Sequence, residues 1–218
     1  MFTSVQTRIP SQSRRSAPAV EISGLGKQFG DDKVVDGFAL TVSSGRITGL
    51  VGRGKTTVLA MVAGVLPPDE GSVRVFGVDV WADERHARRV VASTPLDGGT
   101  CDDPTGWAAL VEAGRSQGLD PEETVVRAWD VLAQVGLADV ATELLAEYPA
   151  GRHARLMLAR ALVGRPALLV LDDLFRGVDE ESARWIQAVL ERFAADGGTV
   201  LLSGEHPQGL CDEVHELA

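Results

Sequence analysis

Apolar and polar positions along this chain follow two periods, and the change from one to the other marks out its elements. Ala19-Val20-Glu21-Ile22 alternates with period two, which predicts a half-exposed strand, and the glycine-spaced stretch Gly24-Leu25-Gly26-Lys27-Gln28-Phe29-Gly30 after it predicts turns. A strand pair is expected over Lys33 to Phe38 and Leu40 to Ser43. Ile47-Thr48-Gly49-Leu50-Val51 is an apolar, β-branched run that feeds into Gly52, and Val58 to Ala63 is a helix former that Gly64 and Pro67-Pro68 terminate. Ser72 to Phe76 returns to strand.

From there the period lengthens. Asp103-Pro104-Thr105 predicts the cap of a helix over Trp107 to Gln117, and Asp120-Pro121 starts another with proline well placed in its first turn. In that second helix Val125, Val126, Trp129, Leu132 and Val135 are expected to form one apolar face, with Trp107 and Trp129 in the core. Ala154 to Val163 and Glu180 to Ala195 read as helices, the latter capped by Asp179, while Ala167 to Leu171 and Thr199 to Leu202 read as fully buried strands. Short apolar strands alternating with helices predict an α/β fold with a mostly parallel sheet covered on both faces. An antiparallel N-terminal β part precedes it, and an inserted helical lobe occupies about residues 97–150.

Charge and composition narrow the function. A formal charge of −10 and a pI near 4.9 argue against nucleic acid or anionic lipid as the main partner. No run of 18 apolar residues is present, so no segment has the length and apolarity of a spanning helix. Cys101 and Cys211 make no disulfide framework and suit a reducing compartment. Residues 1–17 are polar with three arginines and predict a disordered tail ahead of a single folded unit over 18–218.

The candidate chemistry sits at Gly52-Arg53-Gly54-Lys55-Thr56-Thr57, between the apolar run and the helix. Strand, glycine turn, Lys-Thr and helix make a P-loop nucleotide site: glycines let backbone NH groups close on phosphate oxygens, lysine neutralises phosphate charge, and a threonine hydroxyl ligates magnesium. The formal spacing G-x-x-x-x-G-K-T runs from Gly49 to Thr56, yet Gly49-Leu50-Val51 belongs to the strand pattern. Two outcomes follow: the strand unravels back to Thr48 to build a full loop, or Gly52 to Gly54 is a tight strand-to-helix turn.

Taken together, the phrases ITGLVG and GKTT, AGVLPPDEGSVRVFGVDV and LARALVGRPALLVLDD resemble the ATP-binding subunit of ABC transporters, over nearly everything from Val20 onward. The resemblance implies a P-loop NTPase-type cassette that forms a homo- or heterodimer with another cassette around Mg-ATP and drives a membrane permease subunit. It implies a cytoplasmic protein, peripheral at the inner face of the membrane; the charge already argues for no nucleic acid partner. Phe29 falls where an aromatic ring stacks on adenine; Gly52, Gly54, Lys55, Thr56 and Thr57 fall at the phosphate contacts. Thr56 and Asp172 are the implied magnesium ligands, and Asp172 with Asp173 the implied catalytic carboxylates.

Several positions depart from the family pattern. The loop before Lys55 lacks three residues, and Leu96 stands where a metal-reaching glutamine belongs. Pro149-Ala150-Gly151 replaces Ser-Gly-Gly, removing a hydroxyl and an NH donor. Asp173 stands for glutamate, Leu174-Phe175 for proline and threonine, and Glu205 for the switch histidine, with His206 one place on. Weakened or absent hydrolysis is the expectation. The alternative is a non-hydrolytic module that keeps the cassette shape to dock a permease or a second cassette.

Overall fold

The computed structural model describes residues 18–94, 105–206 and 209–217. The expected tail over 1–17, Leu96 and Cys101 lie outside the described residues. Strand β1 (Val20–Phe29) pairs antiparallel with β2 (Asp32–Val42) on one side and β4 (Glu70–Val75) on the other, with β5 (Val78–Asp79) beyond β4. Of the turns expected over Gly24 to Gly30, only the one that begins at Gly30 forms. The ladder absorbs Gly24 in register shifts between Ile22 and Leu25 and then resumes, so the chain reverses only between Phe29 and Asp32. The strand pair expected after Lys33 is the single strand β2.

The second sheet is parallel throughout, in the order β6 (Val91–Ser93), β7 (Leu168–Leu171), β8 (Thr199–Ser203), β3 (Ile47–Gly52), β9 (Glu213–Leu217). Alternate residues of β7 serve different cores. Leu169 and Leu171 join the cluster formed with the later helices, whereas Leu168 and Val170 join the cluster shared with the antiparallel sheet. A strand with both faces covered has no polar position, which is why its sequence reads LLVL. Helix α1 (Lys55–Val62) is wedged between the sheets and buries every residue from Val58 to Val62. Helix α2 (Glu84–Val90), capped by Asp83, and β6 after it are elements the sequence pattern did not suggest; both are short.

Helices α3 (Gly106–Ser116) and α4 (Pro121–Gln134) pack on each other and on α5 (Ala150–Leu162), and α5 packs on α6 (Glu180–Ala195). The caps are those the sequence suggests. Thr105 accepts from the Ala108 NH, Asp120 from the Glu123 NH and Asp179 from the Ser182 NH.

The expected apolar face of α4 is corrected. Thr124, Arg127, Ala128, Val131, Leu132 and Val135 point inward, while Val125, Val126 and Trp129 are exposed, Trp129 by 45%. The face is turned by Arg127, which donates through Nη2 to the Leu162 carbonyl at 3.2 Å and through Nε to the Val163 carbonyl at 3.4 Å, satisfying the C-terminal end of α5. Trp129 is not a core residue. It packs at the surface against the half-buried Trp107, ring centroids 4.7 Å apart, so each ring shields part of the other.

Candidate functional site

Strand β3 does not unravel. It pairs with β8 from Ile47↔Val200 to Leu50↔Ser203 and with β9 from Thr48↔Glu213 to Gly52↔Leu217. The backbone of Gly49 to Val51 thus belongs to the sheet, and the connection to α1 is only Gly52-Arg53-Gly54. Gly52 has φ 99°, and a Cβ there would lie 2.4 Å from the Leu217 carbonyl oxygen, so no other residue fits this turn against β9. Gly54, with φ 86°, occupies the N-cap of α1 without a side-chain cap. Arg53 leaves the turn outward and ion-pairs with Asp32. Of the two outcomes open in the sequence, the tight turn is the one found.

An open cleft of about 640 Å³ lies beyond this turn, lined by Gly52, Lys55, Asp173, Gly204, Glu205 and His206 among others. Thr56 and Thr57 sit in the same first turn of α1 as Lys55, both half-buried. Asp172 and Asp173 follow β7 directly; Asp173 lines the cleft, whereas Asp172, like Thr56 and Thr57, is not among its lining residues. The Asp173 backbone is left-handed, with φ 45°, and its carboxylate reaches Lys55, Oδ2 to Nζ 3.8 Å. A Cβ at position 204 would lie 1.9 Å from Asp173 Oδ1, so this placement of the carboxylate requires Gly204.

Asp172 is held by hydroxyls. Its NH donates to Thr94 Oγ1 at 3.1 Å, its Oδ1 accepts from Ser203 Oγ, and the Asp173 NH donates to the same Ser203 Oγ at 3.4 Å. Neither Thr94 nor the role of Ser203 emerges from the sequence, because both act across strands whose order the sequence does not display. For Ser203 the available signal was a hydroxyl residue closing a buried strand; for Thr94 there was none.

The remaining candidates are dispersed. Phe29, at the end of β1, is 49% exposed and has the Lys27 ammonium 5.9 Å from its ring centroid; it is not among the cleft residues. Glu205 is exposed on the cleft, and His206 sits beside it with Nδ1 3.1 Å from the Gly204 carbonyl oxygen. Pro149 is the N-cap of α5 and makes no side-chain cap bond, and both it and Ala150 are exposed. The nearby arginines are engaged: Arg152 with Glu143 at 2.9 Å, and Arg155 with the Val135 and Gly136 carbonyls closing α4. Leu96 lies outside the described residues.

Behind the cleft, Cys211 packs against β3, where a Cβ at Gly49 would lie 3.1 Å from its Sγ. Burial, reinforced by the neighbouring Asp212 carboxylate, pushes its thiol up from 9.0 to about 11. Since the thiolate is the nucleophile, alkylation of Cys211 by iodoacetamide at pH 8 is expected to run about 100-fold slower than that of an exposed thiol. Mass spectrometry on a Cys101→Ser variant measures it; rapid labelling at pH 8 would contradict the raised thiol pKa of this half-buried residue.

As to fit, a hydroxyl and a carboxylate, Thr56 and Asp172, are the hard oxygen donors that magnesium takes. Lys55 and the N-terminal NH groups of α1 suit a phosphate group. In donor chemistry these residues fit the metal-phosphate end of a magnesium nucleotide.

A family model described as ABC transporter matches residues 35–176. The daunorubicin/doxorubicin resistance ATP-binding protein DrrA of Streptomyces peucetius is 34% identical over 203 residues, covering 92% of this chain and 60% of its own length. The Nod factor export ATP-binding protein I of Sinorhizobium fredii is 34% identical over 206 residues, covering 92% of this chain and 60% of its own. The chain thus spans about three fifths of the length of these curated relatives. Among solved structures, an ATP-binding subunit of an ABC transporter superposes with a TM-score of 0.79 at 22% identity, covering 91% of this chain and 85% of its own. A dimeric ATP-binding cassette in a post-hydrolysis state with ADP and Pi superposes with a TM-score of 0.80 at 18% identity, covering 91% and 94%. At these identities the structures speak for the fold.

Proposed function

This chain belongs to the ABC transporter family, and from that premise we propose that it is an ATP-binding cassette that pairs with another cassette on a membrane permease, with weak nucleotide binding and slow or absent hydrolysis at its own site. The observation that carries the reading is the pairing of β3 through Gly52↔Leu217, which leaves Gly52-Arg53-Gly54 as the whole phosphate loop. Wrapping a β-phosphate takes about five or six successive residues offering NH groups. Here the preceding residues are committed to the sheet.

In this reading ATP with magnesium supplies the γ-phosphate as electrophile. Lys55 would neutralise phosphate charge, Thr56 and Asp172 would hold the metal, and Asp173 would orient water. Asp173 is one methylene shorter than the glutamate that the family carries, and an error of about 1 Å in such a group costs on the order of 100-fold in rate. Its carboxylate faces Lys55 at 3.8 Å, an anion opposite the lysine that would meet phosphate. Glu205 adds a second negative group on the same cleft. The location that goes with this function is cytoplasmic, peripheral at the membrane; none of the described helices is long and apolar enough to cross it.

A second reading, the non-hydrolytic docking module, is favoured by Pro149 at the α5 N-cap. In the head-to-tail dimer that membership of the family implies, the Ser-Gly-Gly replaced here would meet the partner's γ-phosphate, and proline offers neither hydroxyl nor NH.

Titration calorimetry with Mg-ATP separates the possibilities. Dissociation constants weaker than about 0.1 mM are expected, with Lys55→Ala shifting affinity less than about threefold. The mutation removes a half-exposed pair of small value along with the phosphate contact. Micromolar binding that disappears in Lys55→Ala would overturn the weak-site reading.

A further inference from the structure

The carboxylate pair after β7 is gripped from both neighbouring strands by buried hydroxyls. Thr94, one residue beyond β6 and 4% exposed, takes the Asp172 NH; Ser203, the last residue of β8 and 1% exposed, donates to Asp172 Oδ1 and takes the Asp173 NH. The left-handed turn at Asp173 shows why acceptors are needed here. The chain leaves the ladder at this point, and backbone NH groups in a buried setting must be paired. A serine hydroxyl has one hydrogen to give. Ser203 directs it at Oδ1, which fixes the plane of the Asp172 carboxylate and leaves Oδ2 outside that bond.

We propose that Thr94 and Ser203 are positioning residues: between them they fix the backbone and the carboxylate of Asp172 in the orientation from which it holds the metal of a bound nucleotide. The proposal rests on the nucleotide-site reading above. It assigns function to two residues outside the phosphate loop, one on each side of the strand that carries the acidic pair. The physical basis is general. A carboxylate free to turn about its side-chain torsions presents the metal with many orientations, whereas one held by an outer partner presents a single orientation. Loss of such a partner lowers metal affinity by about 10- to 100-fold. The nucleotide's own contacts, through Lys55 and the start of α1, do not pass through either hydroxyl.

The test titrates Mn2+, followed by electron paramagnetic resonance, into the full chain saturated with a non-hydrolysable ATP analogue, and separately measures analogue binding without metal. Ser203→Ala is expected to weaken Mn2+ binding about tenfold or more while leaving metal-free analogue binding unchanged. Ser203→Thr, which keeps the hydroxyl, is expected to restore it, and Thr94→Val against Thr94→Ser should follow the same pattern. Mn2+ binding in Ser203→Ala equal to that of the wild type overturns the proposal. So does a parallel fall in metal-free analogue binding, which would make the hydroxyls supports of the whole cleft. If the wild type binds the analogue but not Mn2+, the proposal falls and the nucleotide reading stands. If it binds neither, both fall.

Discussion

Inserting three residues between Gly52 and Arg53 is expected to raise Mg-ATP affinity about 1000-fold. Removing donors from a phosphate cradle is costly because each NH to a charged oxygen contributes about 1.5–3 kcal/mol. Two such bonds restored give about 4 kcal/mol, and each 1.4 kcal/mol is a factor of ten. The site of insertion follows from the structure. Residues before Gly52 are paired with β8 or β9 and contribute nothing by being lengthened, whereas Gly52 and Gly54 already hold the positive φ values of a turn. The new segment would open onto the cleft beside Lys55. Calorimetry on the insertion variant measures the gain, and Lys55→Ala in that background is expected to abolish most of it. A folded insertion variant no tighter than the parent would show that the loop is not what limits binding.

Replacing Arg127 with alanine is expected to lower stability by about 3–4 kcal/mol, seen as a fall in melting temperature of roughly 10 °C for a chain of this size. Arg127 is 3% exposed, yet its guanidinium answers the Leu162 and Val163 carbonyls and faces Asp130 at 3.8 Å. Burial, then the like charge of Arg165, lowers its pKa, with Asp130 and Glu123 opposing. Truncation removes the aliphatic stem and strands helix-end carbonyls in a buried space, and each unpaired group costs about 1–3 kcal/mol. Arg127→Lys keeps the charge without the fork and is expected to fall between the two. Thermal unfolding of the three proteins checks the order; an alanine variant as stable as the wild type would mean that water serves those carbonyls equally well.

How far the chain is legible depends on the range over which each feature is decided. The caps at Thr105, Asp120 and Asp179 are local, one side chain meeting an NH three residues on, and they stand where the residues suggest. The phase of α4 is not local. Val125, Val126 and Trp129 on one side and Thr124, Ala128 and Val131 on the other satisfy the same helical period, and packing on α3 and on the end of α5 decides in favour of the second set. The turns expected in β1 failed because pairing on both sides outweighs the local preference of Gly24 and Gly26.

By itself the sequence determined the α/β class, the buried parallel strands, the family, and the presence of Lys55, Thr56, Asp172 and Asp173 beside glycine turns. These follow from periodicity and from contiguous motifs. Only the tertiary structure decided the length of the turn between β3 and α1, because that depends on whether β9 pairs with β3 as far as Gly52. It also decided the contact of Lys55 with Asp173 and the grip of Thr94 and Ser203 on the acidic pair. Each of these joins strands and helices far apart in the chain, and a one-dimensional pattern carries no record of which strands become neighbours.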